Sequence, residues 1–263
     1  ETLLDLVFCL LGAHAGPGLH DDTDHHDTAM VEGDYLQQLG DAVRRMEEPC
    51  GIPSAPALLQ LSRFAARDVK VVLSGQGADE PHGGYGRHQA AALLGPLSVL
   101  PSALGRPAGA VARVLPRAAR ARRAAHLLGG HGDAERLLRL VEITDADTRR
   151  ALTGGVGEQA ATERTETAAD ILGDVDGRSL LERALYLDTR MFLPDGILLC
   201  NDKMSMAAGL ELRVPFLDLE LMRFVERIPA ATRVRPRRPK RLHKQAMERL
   251  LPAEVVNRRK HGF

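Results

Sequence analysis

Residues 68–73, Asp-Val-Lys-Val-Val-Leu, run straight into a glycine-rich turn, Ser74-Gly75-Gln76-Gly77-Ala78-Asp79-Glu80. A short apolar run rich in β-branched residues predicts a strand, one that could be buried in a parallel sheet. In α/β folds, ligands bind at the carboxyl ends of such strands. Gly75 and Gly77 let backbone amides approach a ligand without a Cβ in the way, and Ser74 adds a hydroxyl. Asp79 and Glu80 place two carboxylates just beyond, which would repel a bare anion. A nucleotide whose phosphates arrive with Mg2+ suits amides and carboxylates together, because the metal bridges both kinds of oxygen. On spacing alone, an ordinary strand–turn–helix junction explains these residues equally well, since acids favour a helix N-terminus.

The rest of the chain reads as helices. Residues 34–47 carry Tyr35, Leu36, Leu39, Val43 and Met46 at helical spacing. Residues 48–53 break that helix, and Ser54 is expected to cap the next, with Pro56 near its first turn. Helices are expected over 133–152 and 158–172, parted by Gly154-Gly155-Val156-Gly157. Another covers 178–193 and stops at Leu193-Pro194-Asp195-Gly196, where Asp195 is expected to cap a helix ending at Gly209. Asp218 is expected to cap one that ends before Pro229, and residues 239–251 form the last. One confident strand among many helices predicts a helix-rich α/β domain with few parallel strands.

Composition narrows the function. Lys+Arg and Asp+Glu are both 35, so the formal net charge is +0, where a dedicated nucleic-acid binder would be basic. The arginines at 106, 113, 117, 120, 122 and 123 lack interleaved aromatics for base stacking and read as a solvated face. No apolar run approaches the roughly 18–20 residues of a membrane span, and the start lacks a secretory pattern. Three cysteines, far apart, form neither a disulfide framework nor a metal knuckle, which predicts free thiols in the cytoplasm. The neutral total conceals a segregation. Residues 1–48 hold eleven acids and two bases, whereas residues 223–263 hold thirteen bases and three acids. The basic end could hold an anionic ligand such as a polyphosphate. His20, Asp21, Asp22, Asp24, His25, His26 and Asp27 invite a metal-site reading, although a hydrophilic loop explains the same composition.

Three blocks, in order, carry a resemblance. The first is Val71 through Glu80, continuing Pro81-His82-Gly83-Gly84-Tyr85. The second is Leu193-Pro194-Asp195, then Asp202-Lys203-Met204-Ser205-Met206-Ala207 and Leu210-Glu211-Leu212-Arg213-Val214-Pro215-Phe216-Leu217-Asp218. The third runs from Lys240 through Lys244, with Leu250-Leu251-Pro252 and Asn257-Arg258-Arg259-Lys260-His261-Gly262-Phe263. Together they resemble the C-terminal synthetase domain of glutamine-hydrolysing asparagine synthase. The resemblance implies an ATP-pyrophosphatase fold, of the adenine nucleotide alpha hydrolase type, over residues 31–263. It implies ATP and Mg2+ as cofactors and aspartate as substrate. The aspartate side chain would be activated as a β-aspartyl-AMP, with ammonia drawn from glutamine by a glutaminase domain upstream in a longer chain. A homodimer is left open.

Roles follow the matched positions. Leu73, Ser74, Gly75 and Gly77 are expected at the nucleotide, and Asp79 at Mg2+-pyrophosphate with Glu80 in support. Lys260 is expected at the α-phosphate or the leaving pyrophosphate, where a mobile ammonium suits the task. Glu211 and Asp202 are expected on the acceptor side, or else in helix salt bridges with Arg213 and Lys203.

The sequence also departs from the resemblance. Gln76 stands where an acid is usual, and an amide cannot act as an ionised carboxylate or take a proton. Pro81-His82 replaces an apolar pair. No Ser-Gly-Gly-x-Asp-Ser loop precedes Thr23, and Cys9 is not a terminal nucleophile. Residues 1–30 are therefore expected to be truncated or divergent, and the domain incomplete at both ends. Two alternatives follow: an amide-forming tailoring enzyme like the β-lactam or lasso-peptide cyclases, or a non-catalytic remnant.

Overall fold

The computed structural model describes residues 34–49, 51–95, 130, 132–142, 144, 146–235 and 240–257. These divide into two compact units. The first comprises the described part of Glu1–Ala78 together with Phe192–Phe224; the second comprises Asp79–Met191 and Val225–Asn257.

The first unit holds the sheet. Helix α1 (Tyr35–Met46) starts at Asp34, whose side chain accepts from the Leu36 amide, and α2 is Ala55–Ala65. Ser54 occupies the expected position before α2 but makes no side-chain cap bond, because its backbone is already helical. Strand β1 (Val71–Leu73) leads to the turn. Farther along come α9 (Leu199–Met206), numbered after the helices of the second unit, and β2 (Glu211–Arg213). Strands β1 and β2 pair in parallel, Val71 opposite Glu211 and Leu73 opposite Arg213. β2 was not expected: three residues of alternating exposure leave little periodicity to read. β1 is also shorter than the 68–73 run. Val72 is buried, but Val71 is 36% exposed, because this sheet has two strands among the described residues. Ala42, Met46, Ala55, Leu59, Cys200 and Met204 form the buried seam joining α1, α2 and α9. Ala65, Val72 and Leu210 pack α2 against the sheet. Removing any of these large side chains would cost about 2–5 kcal/mol.

The second unit is helical. It contains α3 (Asp79–His82), α4 (Gly86–Leu94), α5 (Gly132–Arg139), α6 (Ala146–Thr153), α7 (Gly155–Gly173) and α8 (Leu180–Leu187). Ser179 and Glu182 close a reciprocal capping box at the start of α8, worth about 1 kcal/mol. Leu137, Leu172, Leu181 and Leu185 are among the buried side chains that bind α5, α7 and α8 together. The single helix expected over 133–152 is two, and α7 begins among the glycines at Gly155, directly after Gly154 at φ +60°.

The expected stop at Pro194 is not there. Wide π-type turns run from Asp188 to Leu198 and pass through Pro194 into α9, so Asp195 caps nothing. Proline lacks the N–H of a regular turn and clashes with the carbonyl four residues back; a widened turn relieves both demands. Asp218 does cap α10 (Leu219–Arg227), its Oδ1 accepting from the Glu220 and Leu221 amides at 3.0 Å. The chain continues through α11 (Ala230–Arg233), α12 (Arg241–Met247) and α13 (Ala253–Val256). Helix α12 falls within the expected 239–251. Among the described residues no helix is long and apolar enough to cross a membrane.

Candidate functional site

The turn after β1 begins by prolonging the sheet: the Ser74 amide donates to the Arg213 carbonyl at 2.8 Å. The Ser74 hydroxyl then accepts from the Gln76 amide at 3.3 Å. A Cβ on Gly75 would meet nothing within 4 Å, so the chain is open to an approaching group there. Gly77 differs. It sits at φ +80°, and a Cβ would collide with the Leu217 side chain. Glycine is required at that bend on both counts. Leu73 and Gln76 are half-buried.

In the second unit, Asp79 opens α3 and its Oδ1 lies 2.8 Å from the Lys240 ammonium, each side chain about a quarter exposed. The pair depends on Gly84. A Cβ there would collide with Asp79 Oδ1 and come within 2.5 Å of Lys240 Cε. The Gly84 amide donates to the Asp79 carbonyl at 2.8 Å and closes this loop. Lys240 itself has φ +52°, a left-handed backbone that costs a non-glycine residue about 1 kcal/mol or more and recurs at functional positions.

Glu80 is fully buried. Tyr85 donates its hydroxyl to Glu80 Oε1 at 2.6 Å, and Oε2 has no hydrogen-bond partner among the described residues. Burial raises the Glu80 pKa, the Tyr85 hydrogen bond opposes that, and the charges of Asp79 and Asp188 add to the rise. Burial likewise raises the Tyr85 phenol, with Glu80 as its hydrogen-bond acceptor. The His82 and His243 rings are 5.2 Å apart. Burial, then the positive neighbours His243, Lys240 and Arg233, pull His82 down to about 4. Arg233 is buried and donates to the Pro81 carbonyl at 2.6 Å, so Pro81 fixes α3 to α11.

Lys260 lies outside the described residues, as do the 20–27 cluster, the arginines from 106 to 123, Cys9 and Cys50. Cys200 is buried. Glu211 is exposed on β2 and accepts from Arg213 Nε at 2.7 Å, a salt bridge along a strand rather than a helix. Asp202 is exposed, and Lys203 pairs with Glu47 at 2.6 Å. Among the described residues no group of three or more His, Cys, Asp or Glu could hold a metal ion alone. A single carboxylate beside a cationic amine instead suits a metal that arrives already bound to phosphate.

The asparagine synthase family model matches residues 20–263. The chain belongs to this family. A Mycobacterium tuberculosis protein named as an asparagine synthetase (glutamine-hydrolyzing) is 33% identical over 240 residues, covering 90% of this chain and 36% of its own length. Bacillus subtilis asparagine synthetase (glutamine-hydrolyzing) 1 is 30% identical over 234 residues, covering 88% of this chain and 36% of its own. B. subtilis asparagine synthetase (glutamine-hydrolyzing) 3 is 26% identical over 241 residues, with 92% and 34% covered. The chain therefore spans about a third of the length of the curated relatives it matches. No solved structure matches it.

Lys240 falls within the third block of the resemblance, and its pairing with Asp79 is a finding of the structure. One signal was available: only five lysines occur among the 35 basic residues, and Lys240 is one of them. The partner of Asp79 could not be read, because 161 positions separate the two and no local pattern links them.

Proposed function

We propose that the chain is the nucleotide-binding synthetase part of a glutamine-dependent asparagine synthetase. In this reading ATP adenylates the side-chain carboxylate of aspartate, pyrophosphate leaves, and ammonia attacks the β-aspartyl-AMP to give asparagine and AMP. A carboxylate oxygen is a very poor leaving group and AMP a good one, so the protein's task is to orient reactants and stabilise developing charge. The single observation that carries the proposal is the Asp79–Lys240 pair, held where Gly84 leaves no room for a side chain, in a chain of this family.

Leu73 positions the turn, and Ser74, Gly75 and Gly77 present its hydroxyl and backbone to the nucleotide. Asp79 would hold Mg2+, which supplies charge neutralisation for the pyrophosphate when bound. Glu80, buried behind it, supports that loop. Lys240 sets the orientation of the Asp79 carboxylate. Lys260 meets the leaving pyrophosphate. Gln76 offers an amide donor and acceptor toward the acceptor substrate without taking a proton. Ammonia is supplied by a glutaminase domain elsewhere in the complete protein.

The complete gene product should release pyrophosphate from ATP when aspartate is present and not when it is withheld. Release that ignores aspartate contradicts the proposal and points to an amide-forming enzyme with another acceptor.

A further inference from the structure

Asp188 stands where regular α8 gives way to π-type turns, a local geometry frequent at functional sites. Its Oδ2 accepts from Arg87 Nε at 2.6 Å and lies 2.6 Å from His88 Nε2. Asp188 is 6% exposed and His88 is fully buried. A buried ion pair is a poor route to stability, since desolvation offsets most of the attraction and an apolar replacement is often as good. The contacts of Arg87 give this one a direction. Its guanidinium lies 3.9 Å from the centre of the Tyr85 ring, while Asp188 holds its Nε. The hydroxyl of that ring donates to Glu80, and Glu80 is bonded through the chain to Asp79.

We propose that Asp188 is a positioning residue for the Asp79–Lys240 pair, acting through Arg87 and Tyr85 on Glu80. The inference rests on the nucleotide-site reading above for its functional consequence, though not for its geometry. Asp188 fixes the guanidinium, the guanidinium fixes the ring, and the ring supplies the one hydrogen bond that Glu80 receives from a side chain among the described residues. The other Glu80 oxygen has no hydrogen-bond partner among the described residues, so the carboxyl can turn once that bond is lost. Asp79, its neighbour in α3, would then shift against Lys240.

The test uses the complete gene product with Asp188→Asn, Tyr85→Phe, both together, and Arg150→Ala at an exposed ion pair as the control. Two readouts are taken: aspartate-dependent pyrophosphate release, and the rate at which acetic anhydride acetylates Lys240, followed by peptide mass spectrometry. Each single variant should slow release by about 10–100-fold, the usual effect of losing an outer-shell partner. Each should speed acetylation by about twofold or more, the lower end of couplings between contacting residues. The double variant should be no worse than the stronger single one, because both act along one path. Arg150→Ala should match wild type in both. Unchanged acetylation in Tyr85→Phe overturns the proposal, and so does a double variant equal to the product of the singles. Tyr85→Phe keeps the ring under Arg87, so it decides the matter if Asp188→Asn does not fold. Wild type lacking aspartate-dependent release would contradict the nucleotide reading instead, while the acetylation arm still judges the network.

Discussion

Residues 74–78 and residues 79–85 adjoin in sequence but are held by different physics. The first stretch is a backbone construction. It rests on a sheet hydrogen bond at Ser74, a serine hydroxyl on the next turn amide, and a bend that only glycine accepts at position 77. The second is a side-chain construction, built from the Asp79–Lys240 pair, buried Glu80 under Tyr85, and a low-pKa histidine beside Lys240 and Arg233. The comparison teaches a division of labour. The backbone stretch leaves an open approach at Gly75, whereas the side-chain stretch is held by individual charged groups and is sensitive to conservative changes.

The largest effect should come from the side-chain stretch. Asp79→Asn keeps shape and removes charge, and should lower aspartate-dependent pyrophosphate release by about 100-fold or more. A smaller loss would show that the backbone stretch carries most of the binding. Gly84→Ala should come next, because its methyl occupies the place of Asp79 Oδ1 and forces the pair apart. We expect about a tenfold or greater loss of release, from the misplacement of a positioned group. Gly77→Ala strikes the backbone stretch instead. The positive φ and the Leu217 contact should together lower stability by about 1–3 kcal/mol in chemical unfolding, with any loss of release following from that.

The histidine tests the second stretch through pH. His82 falls from 6.5 to about 4 in the folded state, so the unfolded chain binds the extra proton between those values. Its contribution therefore leaves stability intact above 6.5 and erodes it as pH falls toward 4, by on the order of 3 kcal/mol in all. Glu80 works in the opposite sense. Its raised pKa favours the folded state at low pH and loses that advantage as pH rises from 4.5 through its folded value. Unfolding midpoints of His82→Gln across this range should lack the acid-side erosion; an unchanged slope would mean that His82 is solvated. The smallest effect belongs to Glu211→Gln. Its exposed bond to Arg213 predicts a stability change under about 1 kcal/mol and an unchanged KM for aspartate. A raised KM would support the acceptor-side role.

The backbone stretch was legible in the sequence, and the side-chain stretch mostly was not. Val71-Val72-Leu73 reads as a strand from residue type, and Gly75 and Gly77 announce a turn where ligands bind in such folds. Asp218 was legible as a cap for the same local reason. Strand β2 escaped because its burial alternates over three residues only. The passage through Pro194 escaped because proline normally ends a regular turn, and nothing local announces a wider one. The pairing of Asp79 with Lys240, and of Asp188 with Arg87 and His88, joins residues far apart in the chain. Such contacts are decided by packing, which one sequence does not display.

The account rests on the adenylation of a carboxylate at this site, and the fate of one oxygen atom tests it most directly. Aspartate carrying heavy oxygen in its side-chain carboxylate is supplied with ATP, glutamine and the complete gene product, and the AMP formed is analysed by mass spectrometry. One labelled oxygen in AMP for each asparagine made is the predicted result. Unlabelled AMP, or ADP with labelled inorganic phosphate, would contradict it.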